Sequence, residues 1–147
     1  MKIIQVIPNL RRGGAETMCT ILSIELCHKG HDVIIISLYK EETPLVERLK
    51  AKGIRIIFLN KRHKIDPKIV LEMKQIFKNE KPDVIHSHIG AIQYAMPAAI
   101  LAKIKMKVHT IHNLAEKELS KPAKFFAKIF YKYFNVTPIA LSQIVQD

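Results

Sequence analysis

Ile3-Ile4-Gln5-Val6-Ile7, followed after a short loop by Gly13-Gly14-Ala15-Glu16, is the stretch that decides the fold. A short apolar strand hands over there to a helix that opens on two glycines. Glycine lets the backbone approach a ligand closely. The amides of a first helical turn have no partner inside the helix, so they offer an anion both donors and the positive end of a dipole. Arg11 and Arg12 stand just before the turn. A Gly-Gly pair also serves as a plain strand-to-helix turn. What favours binding is its position after the first strand of an alternating strand–helix pattern.

That alternation runs along the whole chain. A helix from about Ala15 to His28 is predicted to bury Met18, Ile21, Leu22 and Leu26 and to end at Gly30. Val33 to Leu38 is a continuous apolar run, as for a strand covered on both faces. Thr43-Pro44 opens a second helix with Leu45, Val46 and Leu49 inward, closed by Gly53, and Ile54 to Leu59 is the third strand. After a basic loop (Lys61, Arg62, His63, Lys64), Asp66-Pro67 caps a helix that reaches about Glu80 and buries Ile69, Val70, Met73, Ile76 and Phe77. Val84 to His88 is strand four, Ile92 to Ala102 a helix kinked at Pro97, and Val108 to Ile111 strand five. Pro122 to Phe134 is helical and Ile139 to Leu141 is strand six. The pattern implies one α/β domain over residues 1–147, a Rossmann-like, doubly wound parallel sheet of about six strands with helices on both faces.

Composition narrows the setting. With 147 residues and 48% apolar content, the chain can bury a proper core. A net charge of +11 draws it towards phosphates, nucleic acid or an anionic membrane face. Cys19 and Cys27, on one helix and about 12 Å apart along its axis, cannot bridge each other, which suits a reducing cytoplasm. The apolar start is too short for a signal peptide and is cut by Pro8, and no run approaches the roughly twenty apolar residues of a membrane span.

In a parallel sheet of this kind ligands bind outside the carboxyl ends of the strands. The residues leaving the strands are Pro8 to Gly14, His86-Ser87-His88, His112-Asn113 and Ser142. Three histidines at one edge raise the question of a metal. His86 and His88 share a face of their strand, but no Cys, Asp or Glu is placed to complete a ligand set, so hydrogen-bonded packing is the expected role and no metal is expected. A dinucleotide site fails because the turn lacks the third glycine and strand two ends in Leu38-Tyr39-Lys40 without an acidic residue. Nucleic-acid binding has only the net charge behind it and is not expected.

Gly13-Gly14-Ala15-Glu16, Lys29-Gly30-His31-Asp32-Val33, Pro82-Asp83-Val84-Ile85-His86-Ser87-His88, Thr110-Ile111-His112-Asn113 and Ile139-Ala140-Leu141-Ser142 occur in an order and spacing that resembles glycosyltransferase family 4 over essentially the whole chain. The resemblance is to the N-terminal, acceptor-side half of two-domain GT-B enzymes. It implies retaining transfer of a sugar from a nucleotide-sugar donor, with no further cofactor. It implies that the Gly13-Gly14 turn, with Arg11, faces donor phosphates and acceptor across an interdomain cleft. His112 would lie against the transferred sugar as the catalytic residue, with Asn113, His88 and Ser142 around the same cleft. His31 would have a structural job at a turn. Asn113 stands where many members carry Asp, which removes a carboxylate role. The second domain, which in relatives holds the nucleotide through a Glu-x7-Glu motif, is absent from these residues; Glu72 and Glu80 have that spacing but sit on a helix of the first half. The chain is therefore expected to be inactive by itself.

Lys121, Lys124, Lys128 and Lys132 recur every three or four residues among Phe125, Phe126, Ile129, Phe130, Tyr133 and Phe134. One reading is a helix packed on the sheet with solvated lysines. The other is docking on anionic lipid through Lys121, Lys124, Lys128 and Phe125. The function expected is transfer of a hexosyl unit to a polysaccharide, a lipid-linked acceptor or another cell-envelope glycan, in the cytoplasm or on the inner membrane face. The competing reading is a non-catalytic α/β module that recognises a phosphorylated ligand.

Overall fold

The structure is a computed structural model and describes residues 1–62, 65–112 and 121–141. The elements are β1 (Lys2–Ile7), α1 (Gly14–His28), β2 (Asp32–Ser37), α2 (Pro44–Ala51), β3 (Arg55–Phe58), α3 (Pro67–Glu80), β4 (Val84–His88), a 3₁₀ turn (Ile89–Ala91), α4 (Ile92–Leu101), β5 (Met106–Ile111), α5 (Lys121–Tyr133) and β6 (Val136–Ala140). The six strands form one parallel sheet in the order β3-β2-β1-β4-β5-β6. This is the doubly wound order, with its switch point between β1 and β4.

Side-chain parity divides the core into two layers. Ile4, Val6, Ile34, Ile36 and Ile85 point to the face covered by α3, α4 and α5, where Met73, Phe77, Ala95 and Phe130 meet them. Ile7, Ile35 and Ile54 point to the opposite face and pack with Cys19 and Ile24 of α1 and Val46 and Leu49 of α2. Helix ends follow the sequence signals. Thr43 Oγ1 accepts from the Val46 amide and donates to the Leu10 carbonyl, tying α2 to the loop after β1. Asp66 caps α3, and Gly30 and Gly53 take the left-handed conformation after α1 and α2.

Two expectations are corrected. Helix α1 buries Ala15, Cys19, Thr20, Ser23 and Ile24, whereas Ile21 is 46% exposed and Met18, Leu22 and Leu26 are half-buried. Apolar residues lie on every side of this helix, so periodicity selects no unique face; small side chains let one side sit close to the sheet. Strand β6 begins at Val136, three positions before the predicted Ile139. Pro138 masks that strand in the sequence, yet β6 is an edge strand, where a missing amide is tolerated. No described helix is long and apolar enough to cross a membrane.

Candidate functional site

The switch point opens a crevice of about 280 Å³ bounded by Pro8 after β1, Leu38 and Tyr39 after β2, and Gly90 after β4. Lys61 and Tyr94 also line it. The Lys61 ammonium lies 5.5 Å from the Tyr39 ring centroid and 5.3 Å from that of Tyr94, and donates to Tyr39 Oη and to the Arg62 carbonyl. Burial alone would lower its pKa, but the bonds with Tyr39 and Tyr94 outweigh that and hold it above the usual lysine range. A pre-oriented cation thus faces the crevice. Sequence reading saw Lys61 only as part of a basic loop; its aromatic partners lie 22 and 33 residues away.

The Gly13-Gly14 turn caps α1 on the other side of the switch. Neither glycine has a positive φ, so the turn needs space rather than a special backbone conformation. Gly14 faces open space, and a Cβ on Gly13 would run into the Glu16 carboxylate. Glu16 has folded back over its own helix N-terminus, where a negative charge is favoured. An incoming phosphate would displace that flexible side chain. Arg11 donates from Nε to Glu41 Oε1, so its charge already has a partner, while Arg12 is exposed.

The histidines lie deeper. Gln5, His86 and His88 lie on one face of the sheet, since Gln5 pairs in register with His86 and His88 stands two positions further on. The His86 and His88 rings lie against each other, centroids 4.2 Å apart and planes tilted by 32°. Gln5 Oε1 lies 2.7 Å from His88 Nε2, and His88 Nδ1 lies 2.9 Å from His112 Nε2. His86 bonds to Thr110 Oγ1, and on the opposite face Ser87 bonds to His109 at 2.8 Å. Burial, reinforced by neighbouring imidazoles, pushes His86 down to about 4 and His88 well below the ordinary histidine range, so both are neutral near pH 7. The packing role expected of the histidines is what β4 shows: His88 is fully buried and is linked to the carboxyl edge of the sheet through half-buried His112. Among the described residues no cluster of His, Cys, Asp and Glu suits a metal ion. Asn113, Ser142, His63 and Lys64 lie outside the described residues.

Other sequence candidates sit away from this edge. His31 Nδ1 is 3.1 Å from the Met1 amino group, at the start of the sheet. Glu80 bonds Lys2 and Arg55 at that same end, and those contacts hold its carboxyl below the usual range, so Glu80 has a structural job away from the carboxyl edge. On helix α5 Ala127 and Phe130 are buried against the core, while Phe125 (63%) and Phe126 (47%) are exposed beside exposed Lys121 and Lys128 and half-buried Lys124.

Comparison with known proteins agrees with this fold. The model of glycosyltransferase family 4 matches residues 12–146. No curated protein matches the chain. A glycosyltransferase from Rickettsia africae is similar in structure, with a TM-score of 0.65 and 19% identity over 96% of this chain and 42% of that one. Anabaena HepE in complex with UDP gives a TM-score of 0.75 and 16% identity over 99% of this chain and 39% of that one. MurG from Acinetobacter baumannii gives 0.62 and 12% over 87% and 39%. Likeness at these identities establishes the fold, and the chain spans about two fifths of the length of these proteins.

Proposed function

The chain belongs to glycosyltransferase family 4, and from that premise we propose that it is the acceptor-side domain of a retaining enzyme that moves a hexosyl unit from a nucleoside-diphosphate sugar to a cell-envelope acceptor, either a polysaccharide or a lipid-linked glycan. The observation that carries the reading is the crevice lined by Pro8, Gly90 and Lys61 at the switch point on the carboxyl edge of the sheet, the place where a parallel α/β sheet takes ligands, with His112 at the end of β5 on the same edge.

In this reading a second domain, outside this chain, holds most of the donor. The Gly14 amide and the dipole of α1 meet diphosphate charge as the sugar leaves, once Glu16 has swung aside. His112 contacts the transferred sugar. The Anabaena neighbour binds UDP and glucose, which supports a nucleotide sugar as donor. The protein works in the cytoplasm, with exposed Phe125, Lys121 and Lys128 and half-buried Lys124 resting on the inner face of an anionic membrane.

The test is mass spectrometry of products from the full-length protein incubated with a panel of nucleotide sugars and a membrane extract. A product heavier by one hexosyl unit, formed with one donor and not by residues 1–147 alone, is expected. Absence of transfer with every donor, alongside binding of phosphorylated ligands, would replace the enzyme with a binding module.

A further inference from the structure

Gln5, His88 and His112 form a hydrogen-bonded chain across three strands, and its ends differ. Gln5 and His88 are fully buried, while His112 is half-buried at the carboxyl edge. Direction in such a chain follows from donor and acceptor chemistry. Gln5 presents Oε1, which can only accept, so His88 Nε2 carries the hydrogen. His88 is neutral, because burial holds it well below the ordinary histidine range, so its Nδ1 is a bare acceptor. The hydrogen in the 2.9 Å contact between His88 Nδ1 and His112 Nε2 therefore belongs to His112.

We propose that Gln5 and His88 are positioning residues that fix His112 as its Nε2–H tautomer and direct the acceptor nitrogen, Nδ1, away from the buried pair. The proposal rests on the reading of His112 as a cleft residue only for its link to catalysis. In that setting His112 meets a sugar hydroxyl as an acceptor, and the imidazole presents one hydrogen-bond pattern rather than two. The choice is made 107 residues away in sequence, by the orientation of one amide. Gln5 Nε2 is itself buried, with no partner among the described residues. Turning the amide over would present a donor to His88, reverse both bonds and give His112 the opposite tautomer.

Long-range 1H–15N correlation spectra of the imidazoles of this chain, recorded near pH 7.5, test the proposal without any substrate. Expected are Nε2-protonated signatures for both His88 and His112. In Gln5→Leu, and separately in His88→Leu, the His112 signature should shift away from the Nε2-protonated form, while Ile35→Val leaves it unchanged. An Nδ1-protonated His112 in the unsubstituted chain would overturn the proposal, a result that needs no variant to fold. So would an unaltered His112 signature in a folded Gln5→Leu protein. A transfer assay that found His112 dispensable in the full-length enzyme would end its catalytic reading and leave the tautomer result standing.

Discussion

Strands β2 and β4 are both buried along almost their whole length, yet they are built from opposite materials. From Val33 to Ile36, β2 is aliphatic and packs into both core layers. After Val84 and Ile85, β4 continues as His86-Ser87-His88 and is no more exposed. In β2 burial itself stabilises. In β4 the same burial would cost free energy unless the polar groups found partners, and each has one: Thr110 for His86, His109 for Ser87, and Gln5 with His112 for His88. Apolar strands hold the sheet together, and the polar strand beside the switch point carries a network that ends at the carboxyl edge of the sheet.

The comparison predicts how each half breaks. Ile35→Ala should cost about 2–5 kcal/mol of domain stability by urea unfolding, because its cavity opens in a layer with nothing to refill it, while His112 keeps its imidazole spectrum. A smaller cost from Ile35→Ala than from every β4 substitution would break the comparison.

Acid should act on β4 and spare β2. In the unfolded chain His86 titrates near its ordinary 6.5, whereas in the folded state burial and neighbouring imidazoles push it down to about 4. The unfolded state therefore takes up protons first. The stability tied to neutral His86 is complete above pH 6.5 and is lost as the pH falls towards 4, a loss of about 3 kcal/mol, with His88 adding in the same direction. Urea titrations across that window should show a steep decline that flattens in His86→Leu and persists in Ile35→Val.

His88→Leu alone should cost about 1–3 kcal/mol, because Gln5 Oε1 loses its partner inside the protein, whereas the double change Gln5→Leu with His88→Leu should come back to within about 1 kcal/mol of the starting protein. That pair would make β1 and β4 resemble β2. A double variant no more stable than the single one would show that the network does more for stability than satisfy its own polar groups. Arg11→Ala should change stability by about 1 kcal/mol or less, since its bond with Glu41 lies on an exposed loop.

Much of this contrast was legible before folding. Pro82-Asp83 ahead of an apolar start fixed β4 to the residue, and strict alternation placed His86 and His88 on one face. The inner face of α1 was not legible, because Met18, Leu22 and Leu26 compete with Cys19 and Ile24 as apolar stripes, and only contact with the sheet decides between them. Gln5 was overlooked as a site residue although it carries a signal: a lone polar side chain within an apolar strand in a central position must find a buried partner. That its partner would be His88, 83 positions on, depends on strand order. The same holds for Lys61 with Tyr94 and for Arg11 with Glu41, contacts between loops that no local period encodes.

The most direct test of the account compares His112→Ala with His31→Ala in the full-length enzyme, with kcat, KM and the melting temperature measured for each. One residue stands at the carboxyl edge of the sheet and the other at the start of the sheet beside the Met1 amino group. The account predicts that His112→Ala lowers kcat by about 100-fold or more with the melting temperature kept, whereas His31→Ala lowers the melting temperature and leaves the kcat of the folded enzyme near normal. Normal turnover in a folded His112→Ala enzyme would contradict it.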